Sequence, residues 1–230
     1  MKNLILASTS TLHGQSYLHY LLPQLENLFI NCNTIIFIPY ARPSGISHDA
    51  YTEIARKGFS KIGKNVVGLH TFSNPEEALK KAEGIFTGGG NTFVLVNELY
   101  KNNCMSVLKT CLLNGTPYLG TSAGSNIAGI SMQTTNDMPI AYPPSFKTLG
   151  VVPFNINAHY LDPDTNSTHK GETRETRIKE FHTYHDTAVV GLREGNSIRV
   201  QHETYTLLGE GTARLFTPNE PAIESKSLPF

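Results

Sequence analysis

Short apolar segments alternate with longer amphipathic segments along the first half of the chain. The apolar segments cover residues 4–7, 34–39, 66–69, 85–87 and 117–120. The segment at residues 35–38 is continuously apolar, as is typical of parallel strands that are covered on both faces. This alternation predicts an α/β fold with a mostly parallel, doubly wound sheet.

Capping residues indicate where the intervening helices begin. Asn74 is a favourable N-cap, and Pro75 and two glutamates follow it in the first helical turn. We expect that helix to end near Gly84. Ser47 opens another helix, with Tyr51 on its apolar face. Further helices are predicted over residues 105–114 and 123–131.

The second half of the chain continues the α/β pattern and then changes. A strand at residues 151–158, a helix at 172–185 and a strand at 188–192 predict one more βαβ unit. The short alternating segments that follow predict a small antiparallel extension at the sheet edge; they cover residues 197–201, 204–208 and 213–217. Since a chain of 230 residues can share one core, we expect a single catalytic domain spanning residues 1–230.

Composition and charge narrow the class of protein. Apolar residues make up 39% of the chain, and 19 basic side chains balance 19 acidic ones, so no basic face for nucleic acid is expected. The first apolar segment, residues 4–7, is too short for a signal peptide or a membrane span. Cys32, Cys104 and Cys111 form neither a metal-binding spacing nor an even disulfide framework. We therefore expect a cytoplasmic protein whose cysteines are buried rather than catalytic.

The chemistry of the chain points first to the pentapeptide Gly-Thr-Ser-Ala-Gly at residues 120–124. It joins the predicted strand at residues 117–120 to a predicted helix, with Ser122 at the turn. A sharp strand-to-helix turn exposes a serine hydroxyl as a nucleophile, and small neighbours leave room for it. The N–H of Ala123 can then face a developing oxyanion. The plain alternative is a glycine-rich turn in which Ser122 is only an N-cap.

A second glycine-rich turn lies at residues 85–92, again between a predicted strand and a helix. Phosphate binding would require a G-x-G-x-x-G or G-K-[ST] spacing, and the sequence contains neither here. We expect Gly89 or Gly90 to supply a second backbone donor to the oxyanion hole beside Ser122. The alternative is a turn without a chemical role.

Position in the sheet separates the candidate bases and acids. Of nine histidines, only His159 clearly lies at the carboxyl end of a predicted strand, where active sites of open α/β sheets collect. His182 and His185 could share a metal, but no third ligand follows at a suitable spacing. Glu194 follows the next strand and is the preferred orienting acid. Asp137, between serine and histidine in the chain, is the alternative acid.

Four motifs in order give the chain a family resemblance. They are T-G-G-G-N-T-F at residues 87–93, G-T-S-A-G-S-N at 120–126, T-T-N-D-M-P at 134–139 and H-K-G-E-T-R at 169–174. Together they resemble the peptidase E family of α-aspartyl dipeptidases, serine peptidase family S51. The resemblance implies a fold like that of class I glutamine amidotransferases, with serine replacing their cysteine nucleophile. It also implies a triad of Ser122, His159 and Glu194, although an aspartate matching Asp137 has been assigned to the relay as well.

The resemblance also implies a substrate, a dipeptide with an amino-terminal aspartate, and no cofactor or metal. A cation must meet the substrate carboxylate, and Lys170, Arg174 and Arg177 cluster after His159. Arg174 is the first choice, and Asp137 could instead bind the substrate amine. The expected partners are this small peptide and, in a homodimer, a second copy of the chain; nucleic acid and membrane are not expected.

Three other functions remain open at this point. The same scaffold suits an esterase or a relative of cyanophycinase, which would also use a serine nucleophile. A non-catalytic module could use the two glycine-rich turns as an anion-binding nest. Hydrolysis that requires the free amine of an Asp-Xaa dipeptide separates the dipeptidase from all three.

Overall fold

The computed structural model describes residues 1–164, 166, 168 and 170–230. The helices among these residues are α1 (Leu22–Leu28), α2 (His48–Ser60), α3 (Pro75–Lys80), α4 (Thr92–Lys101), α5 (Cys104–Leu113), α6 (Ala123–Asn126) and α7 (Arg174–Phe181). The strands are β1 (Asn3–Ala7), β2 (Thr34–Ile38), β3 (Asn65–Gly68), β4 (Gly84–Thr87), β5 (Tyr118–Thr121), β6 (Asn155–Ala158), β7 (Val189–Leu192), β8 (Ser197–Gln201), β9 (Thr204–Leu208), β10 (Ala213–Phe216) and β11 (Ile223–Ser225).

The main sheet has the strand order β3-β2-β4-β5-β1-β8-β9. Its first five members are parallel, whereas β8 and β9 extend the sheet in antiparallel fashion. The predicted α/β fold with a mostly parallel sheet and a small antiparallel extension is thus confirmed. Each of the five parallel strands lies within one residue of its predicted bounds.

Both faces of the main sheet are buried, as the doubly wound pattern predicts. Along β1, Leu4 and Leu6 belong to the core on the side of α3 to α6, and Ile5 and Ala7 belong to the core against α1 and α2. Side chains alternate between the faces of a strand, so a continuously apolar strand can serve both cores. Burial of each such leucine or isoleucine stabilises the fold by roughly 1.5–3 kcal/mol.

Two predicted helix caps are present. The Ser47 side chain accepts a hydrogen bond from the Ala50 N–H at the start of α2, and the Asn74 side chain accepts one from the Glu77 N–H in α3. These bonds satisfy backbone donors that a helix leaves unpaired in its first turn. The caps therefore fix where both helices begin.

A second sheet has the order β11-β10-β7-β6, in which only β6 and β7 are parallel. The predicted βαβ unit is therefore present, but it forms a sheet of its own. The segment at residues 213–217, expected at the edge of the main sheet, pairs with β7 instead. The edge of β1 that could have received β6 and β7 is occupied by β8. Ile156, Val190 and Leu192 still pack into the core shared with the main sheet.

The helix predicted over residues 123–131 is wrong in length, because α6 ends at Asn126. The carbonyl groups of Ile127, Ala128 and Gly129 accept hydrogen bonds from N–H groups of residues 149–152 rather than from the next helical turn. Gly129 also lies so close to the Phe154 carbonyl that a β-carbon there would come within 2.9 Å. Tertiary contacts with the following segment therefore end the helix after one turn.

Within the part of the chain that the structure describes, no helix combines the length and apolarity that crossing a membrane requires.

Candidate active site

Ser122 occupies a sharp turn between β5 and α6. Its backbone has φ 52° and ψ −113°, a region that residues other than glycine rarely adopt. A β-carbon on Gly120 would lie 2.5 Å from the Gly124 carbonyl oxygen, and one on Gly124 would lie 2.2 Å from that of Thr87. Only glycine fits at these two positions, and this explains why the turn needs both. The Ser122 N–H donates to the Ala7 carbonyl at 3.0 Å, which ties the turn to β1.

His159 and Glu194 meet Ser122 from the second sheet. His159 follows β6 directly, and its Nε2 lies 2.9 Å from the Ser122 Oγ. Glu194 follows the adjacent parallel strand β7, and its Oε1 lies 2.6 Å from the His159 Nδ1. A neutral imidazole carries one proton, so a ring that donates from Nδ1 to the carboxylate leaves Nε2 free to accept the serine proton. The structure thus brings together the three residues that topology and resemblance had selected.

The side chains of His159 and Glu194 are partly open to solvent. The side chain of His159 is 39% exposed and that of Glu194 is 52% exposed. Glu194 also borders a cavity of about 620 Å³ that Gln15, Tyr20 and Gln24 help to line. Water can therefore reach the carboxylate and weaken its electrostatic effect on the imidazole.

The glycine-rich loop before α4 lies against Ser122. A β-carbon on Gly89 would lie 2.9 Å from the Ser122 Cβ and 3.5 Å from its Oγ. The backbone N–H groups of Gly89, Gly90 and Ala123 make no hydrogen bond with any other described residue. Free N–H groups beside a nucleophile are the requirement for an oxyanion hole. Gly89 therefore lies against Ser122, Ala123 follows Ser122 directly in the chain, and Gly90 is the next residue after Gly89.

Tyr51 of α2 fixes this loop from behind. Its buried hydroxyl donates to the Gly89 carbonyl at 3.1 Å, and its ring packs edge-on against Phe37 at 4.9 Å. Because the C=O and N–H of one peptide unit point in opposite directions, this bond also sets the direction of the Gly90 N–H. Sequence reasoning placed Tyr51 on an apolar helix face and did not identify this role; only its hydroxyl could have drawn attention to it.

Asp137 caps α4 and makes no contact with the imidazole. Its Oδ2 accepts hydrogen bonds from the Thr92 N–H at 2.7 Å and from the Thr135 hydroxyl at 2.8 Å. Both Asp137 and His159 are described, and no hydrogen bond or ion pair joins them. A carboxylate at the first turn of a helix is stabilised by the helix dipole, which gives Asp137 a structural role beside the glycine-rich loop before α4.

The three basic candidates differ in their surroundings. Arg174 is half-buried at the start of α7, and burial together with the nearby Arg177 lowers its pKa, whereas Asp137 acts in the opposite direction. Arg177 lies 3.8 Å from Glu172, and Lys170 is exposed. No carboxylate forms an ion pair with Arg174 in residues 1–164, 166, 168 and 170–230. His169, the first residue of the H-K-G-E-T-R motif, lies outside the described residues.

His182, His185 and the three cysteines, which were candidates for metal or thiol chemistry, make other contacts. The His182 ring pairs with the Thr187 carbonyl at 3.0 Å, while His185 stacks on Phe181 and meets Gln133. Across the described residues, no group of three or more His, Cys, Asp or Glu side chains could hold a metal ion. The thiols are buried and free, and burial raises the pKa of each, to about 11 for Cys104. A raised pKa is the opposite of what a reactive thiol needs.

Comparison with known proteins gives a consistent result over almost the whole chain. The sequence model of peptidase family S51 matches residues 4–208. A Drosophila melanogaster protein named "Probable alpha-aspartyl dipeptidase" is 52% identical over 94% of this chain and 90% of its own. "Peptidase E" of Streptomyces coelicolor is 46% identical over 97% of this chain and 92% of its own.

Solved structures agree on the fold. A crystal structure described as that of a "Putative Peptidase E Protein" from Listeria monocytogenes EGD-e has a TM-score of 0.69 at 23% identity, covering 92% of this chain and all of its own. That of a peptidase from an acI-B1 Actinobacterium has a TM-score of 0.70 at 16% identity, covering 98% of this chain and 97% of its own.

Proposed function

The chain belongs to peptidase family S51, and from that premise we propose that it hydrolyses dipeptides with an amino-terminal aspartate through an acyl-enzyme on Ser122. The observation that carries the proposal is the continuous hydrogen-bonded line from Ser122 through His159 to Glu194, at 2.9 and 2.6 Å. The name of the fly relative supports the aspartyl dipeptide as substrate, and the name of the Streptomyces relative supports a peptidase.

Acylation begins with a proton transfer from Ser122 to His159, which Glu194 holds in place. His159 Nε2 takes the hydroxyl proton as the Ser122 Oγ attacks the scissile carbonyl carbon. The carbonyl electrons move onto the oxygen, which is then held by backbone N–H groups of Gly89, Gly90 and Ala123. When the oxyanion collapses, the C–N bond breaks and His159 gives its proton to the leaving amine. The products of this half are a free amino acid and an aspartyl ester of Ser122.

Deacylation repeats the same steps with water. Water attacks the ester carbon while His159 removes its proton, and the proton then passes to the departing Ser122 oxygen. Free aspartate leaves and the enzyme is restored. Throughout the cycle, Glu194 holds the imidazole in one tautomer and stabilises the imidazolium that forms twice.

Recognition of the substrate aspartate is assigned to Arg174. A half-buried guanidinium without a carboxylate partner in the described residues has lost part of its hydration, so an incoming carboxylate would restore its interactions.

Asp137 is assigned to binding of the substrate amine rather than to the triad. Its Oδ1 has no hydrogen-bond partner among the described residues, and the hydrogen bonds of its Oδ2 hold the side chain beside the glycine-rich loop before α4.

The test is steady-state kinetics with three matched substrates. We expect hydrolysis of Asp-Leu and none of Leu-Leu or acetyl-Asp-Leu. Leu-Leu lacks the β-carboxylate, and acetyl-Asp-Leu lacks the free amine. An esterase would tolerate acetylation, and a binding module would turn over nothing and would be unaffected by Ser122→Ala. Turnover of Leu-Leu equal to that of Asp-Leu would overturn the proposal.

A pair of arginine variants tests the carboxylate site. Arg174→Met should raise KM for Asp-Leu by about 10- to 100-fold, the range expected when one charge-assisted hydrogen bond is lost, with kcat less affected. Arg177→Met is measured beside it as the second candidate on the same helix, and it should change KM less, since Arg177 already lies near Glu172. An unchanged KM for Arg174→Met would move the assignment to Lys170 or Arg177.

Two further proposals concern the protein in its cell. The cytoplasm is the proposed compartment, and three buried free thiols support it. A homodimer stays a prediction, which sedimentation or light scattering of the purified chain can test.

A further inference from the structure

Ser8 lies at the junction between the two sheets. It follows β1 directly and is fully buried. Its hydroxyl donates to the Leu192 carbonyl at 2.7 Å and accepts from the His159 N–H at 2.9 Å. A single side chain thus contacts the last residue of β7 and the first residue after β6.

These contacts join elements that no strand pairing connects. In the main sheet β1 pairs with β5 and β8, whereas β6 pairs with β7 in the second sheet. Ala7, the residue before Ser8, makes a related contact: its carbonyl accepts a hydrogen bond from the Ser122 N–H at 3.0 Å. Two consecutive residues at the end of β1 therefore hold the backbones that carry the nucleophile, the base and, two residues beyond Leu192, the acid.

The backbone of His159 needs this support. Its φ is 54°, in the left-handed region that costs an L-residue about 1 kcal/mol or more. Without the bond from its N–H to Ser8, relaxation to a negative φ would rotate the imidazole away from the Ser122 Oγ. The N–H would also be left buried without a partner, which favours the same rearrangement.

We propose that Ser8 is a positioning residue, whose bridge between the Leu192 carbonyl and the His159 N–H holds the imidazole in line with Ser122. This inference rests on the proposed triad. Ser8 does not touch the substrate, and its effect passes through the backbone of His159. Packing alone would be satisfied by alanine at this buried position, so the hydroxyl is the feature that the role requires.

The experiment compares Ser8→Ala with a matched buried hydroxyl elsewhere. Thr148 is buried, and its Oγ1 donates to the Gly129 carbonyl at 2.7 Å. Thr148→Val removes that bond at nearly constant volume. Each variant is measured for kcat and KM on Asp-Leu, for the rate at which a fluorophosphonate labels Ser122, and for thermal unfolding.

For Ser8→Ala we expect kcat to fall about 10- to 100-fold, the effect of a displacement of about 1 Å in a catalytic group, with KM within about threefold of wild type. The labelling rate should fall by the same factor, because it needs the same base. Thr148→Val should lose thermal stability and keep both rates. Should Ser8→Ala not fold, Ser8→Cys supplies a weak donor of similar size, and intermediate rates are expected.

The readouts separate this inference from the proposed function. A wild-type protein that is labelled at Ser122 but leaves Asp-Leu intact would refute the dipeptidase, and the labelling rates would still test Ser8. A folded Ser8→Ala with both rates within twofold of wild type would overturn the positioning role. So would a loss of rate in Thr148→Val as large as that in Ser8→Ala, because it would trace to stability alone.

Discussion

Replacement of Glu194 by glutamine tests which carboxylate orients the base. The Oε1 that lies 2.6 Å from the His159 Nδ1 would become part of a neutral amide, which can also present an NH₂ group and favour the wrong tautomer. Asp137→Asn makes the same chemical change at the alternative acid, which instead caps α4 through the Thr92 N–H. The two variants form a matched pair.

The expected loss follows from the charge that is removed. An imidazolium and a carboxylate with charge centres about 4 Å apart attract each other by roughly 4 kcal/mol near a protein surface and by about 1 kcal/mol in bulk water. Since the Glu194 side chain is 52% exposed and borders a cavity, its attraction for the imidazolium should fall between these two limits. At about 1.4 kcal/mol per factor of ten, kcat of Glu194→Gln should be roughly 5- to 1000-fold below wild type.

The assay is steady-state turnover of Asp-Leu with fluorophosphonate labelling of Ser122 in parallel. Glu194→Gln should lower kcat and the labelling rate together and leave KM nearly unchanged. Asp137→Asn should raise KM, because Asp137 is proposed to bind the amine, and should preserve the labelling rate. Near-normal turnover in Glu194→Gln with a loss of several orders of magnitude in kcat and labelling for Asp137→Asn would refute this reasoning.

Three further predictions concern the glycine-rich loop before α4 and the ion pair between Arg193 and Glu224. Gly89→Ala should abolish turnover in a folded protein, because the new β-carbon would lie 2.9 Å from the Ser122 Cβ; circular dichroism checks the fold, and normal kinetics would contradict the packing. Tyr51→Phe should lower kcat roughly fivefold at constant KM, since it removes one hydrogen bond of about 1 kcal/mol to the Gly89 carbonyl; an unchanged kcat would exclude a role in orienting the loop. Arg193→Gln should flatten the acid dependence of stability, because the hydrogen bond from Arg193 lowers the pKa of Glu224 from its ordinary value of 4.5. The stability that this carboxylate contributes is present above pH 4.5 and is lost as the pH falls through its lower folded pKa, so urea unfolding of wild type and variant should converge in acid and differ at neutral pH.

Most of the main sheet could be predicted because its strands carry a local signal. Residues 35–38 are apolar without interruption, and the glycine-rich turns after β4 and β5 mark where each strand ends. The separate sheet could not be predicted, because strand pairing depends on partners that are distant in sequence. Whether β6 and β7 join β1 or leave that edge to β8 is not encoded in any one segment.

The candidate site divides in the same way. Ser122, His159 and Glu194 lie at the carboxyl ends of strands, so a topological rule could find them, and their catalytic roles stay predictions. The length of α6 and the hydrogen bonds of Tyr51 could not be found, because each depends on a distant carbonyl group. Ser8 also directly follows a strand, and the same rule could have selected it. It belongs to no motif, so nothing in the sequence separated it from other serines.

The positive φ angles of Ser122 and His159 have a consequence for selection experiments. Both residues hold a backbone conformation, at φ 52° and 54°, that glycine adopts without strain. Ser122→Gly would relieve roughly 1–2 kcal/mol of strain while removing the nucleophile. A library screened for heat resistance alone should therefore enrich inactive sequences at this position. Engineering a more robust catalyst from this scaffold requires turnover to be part of every round of selection.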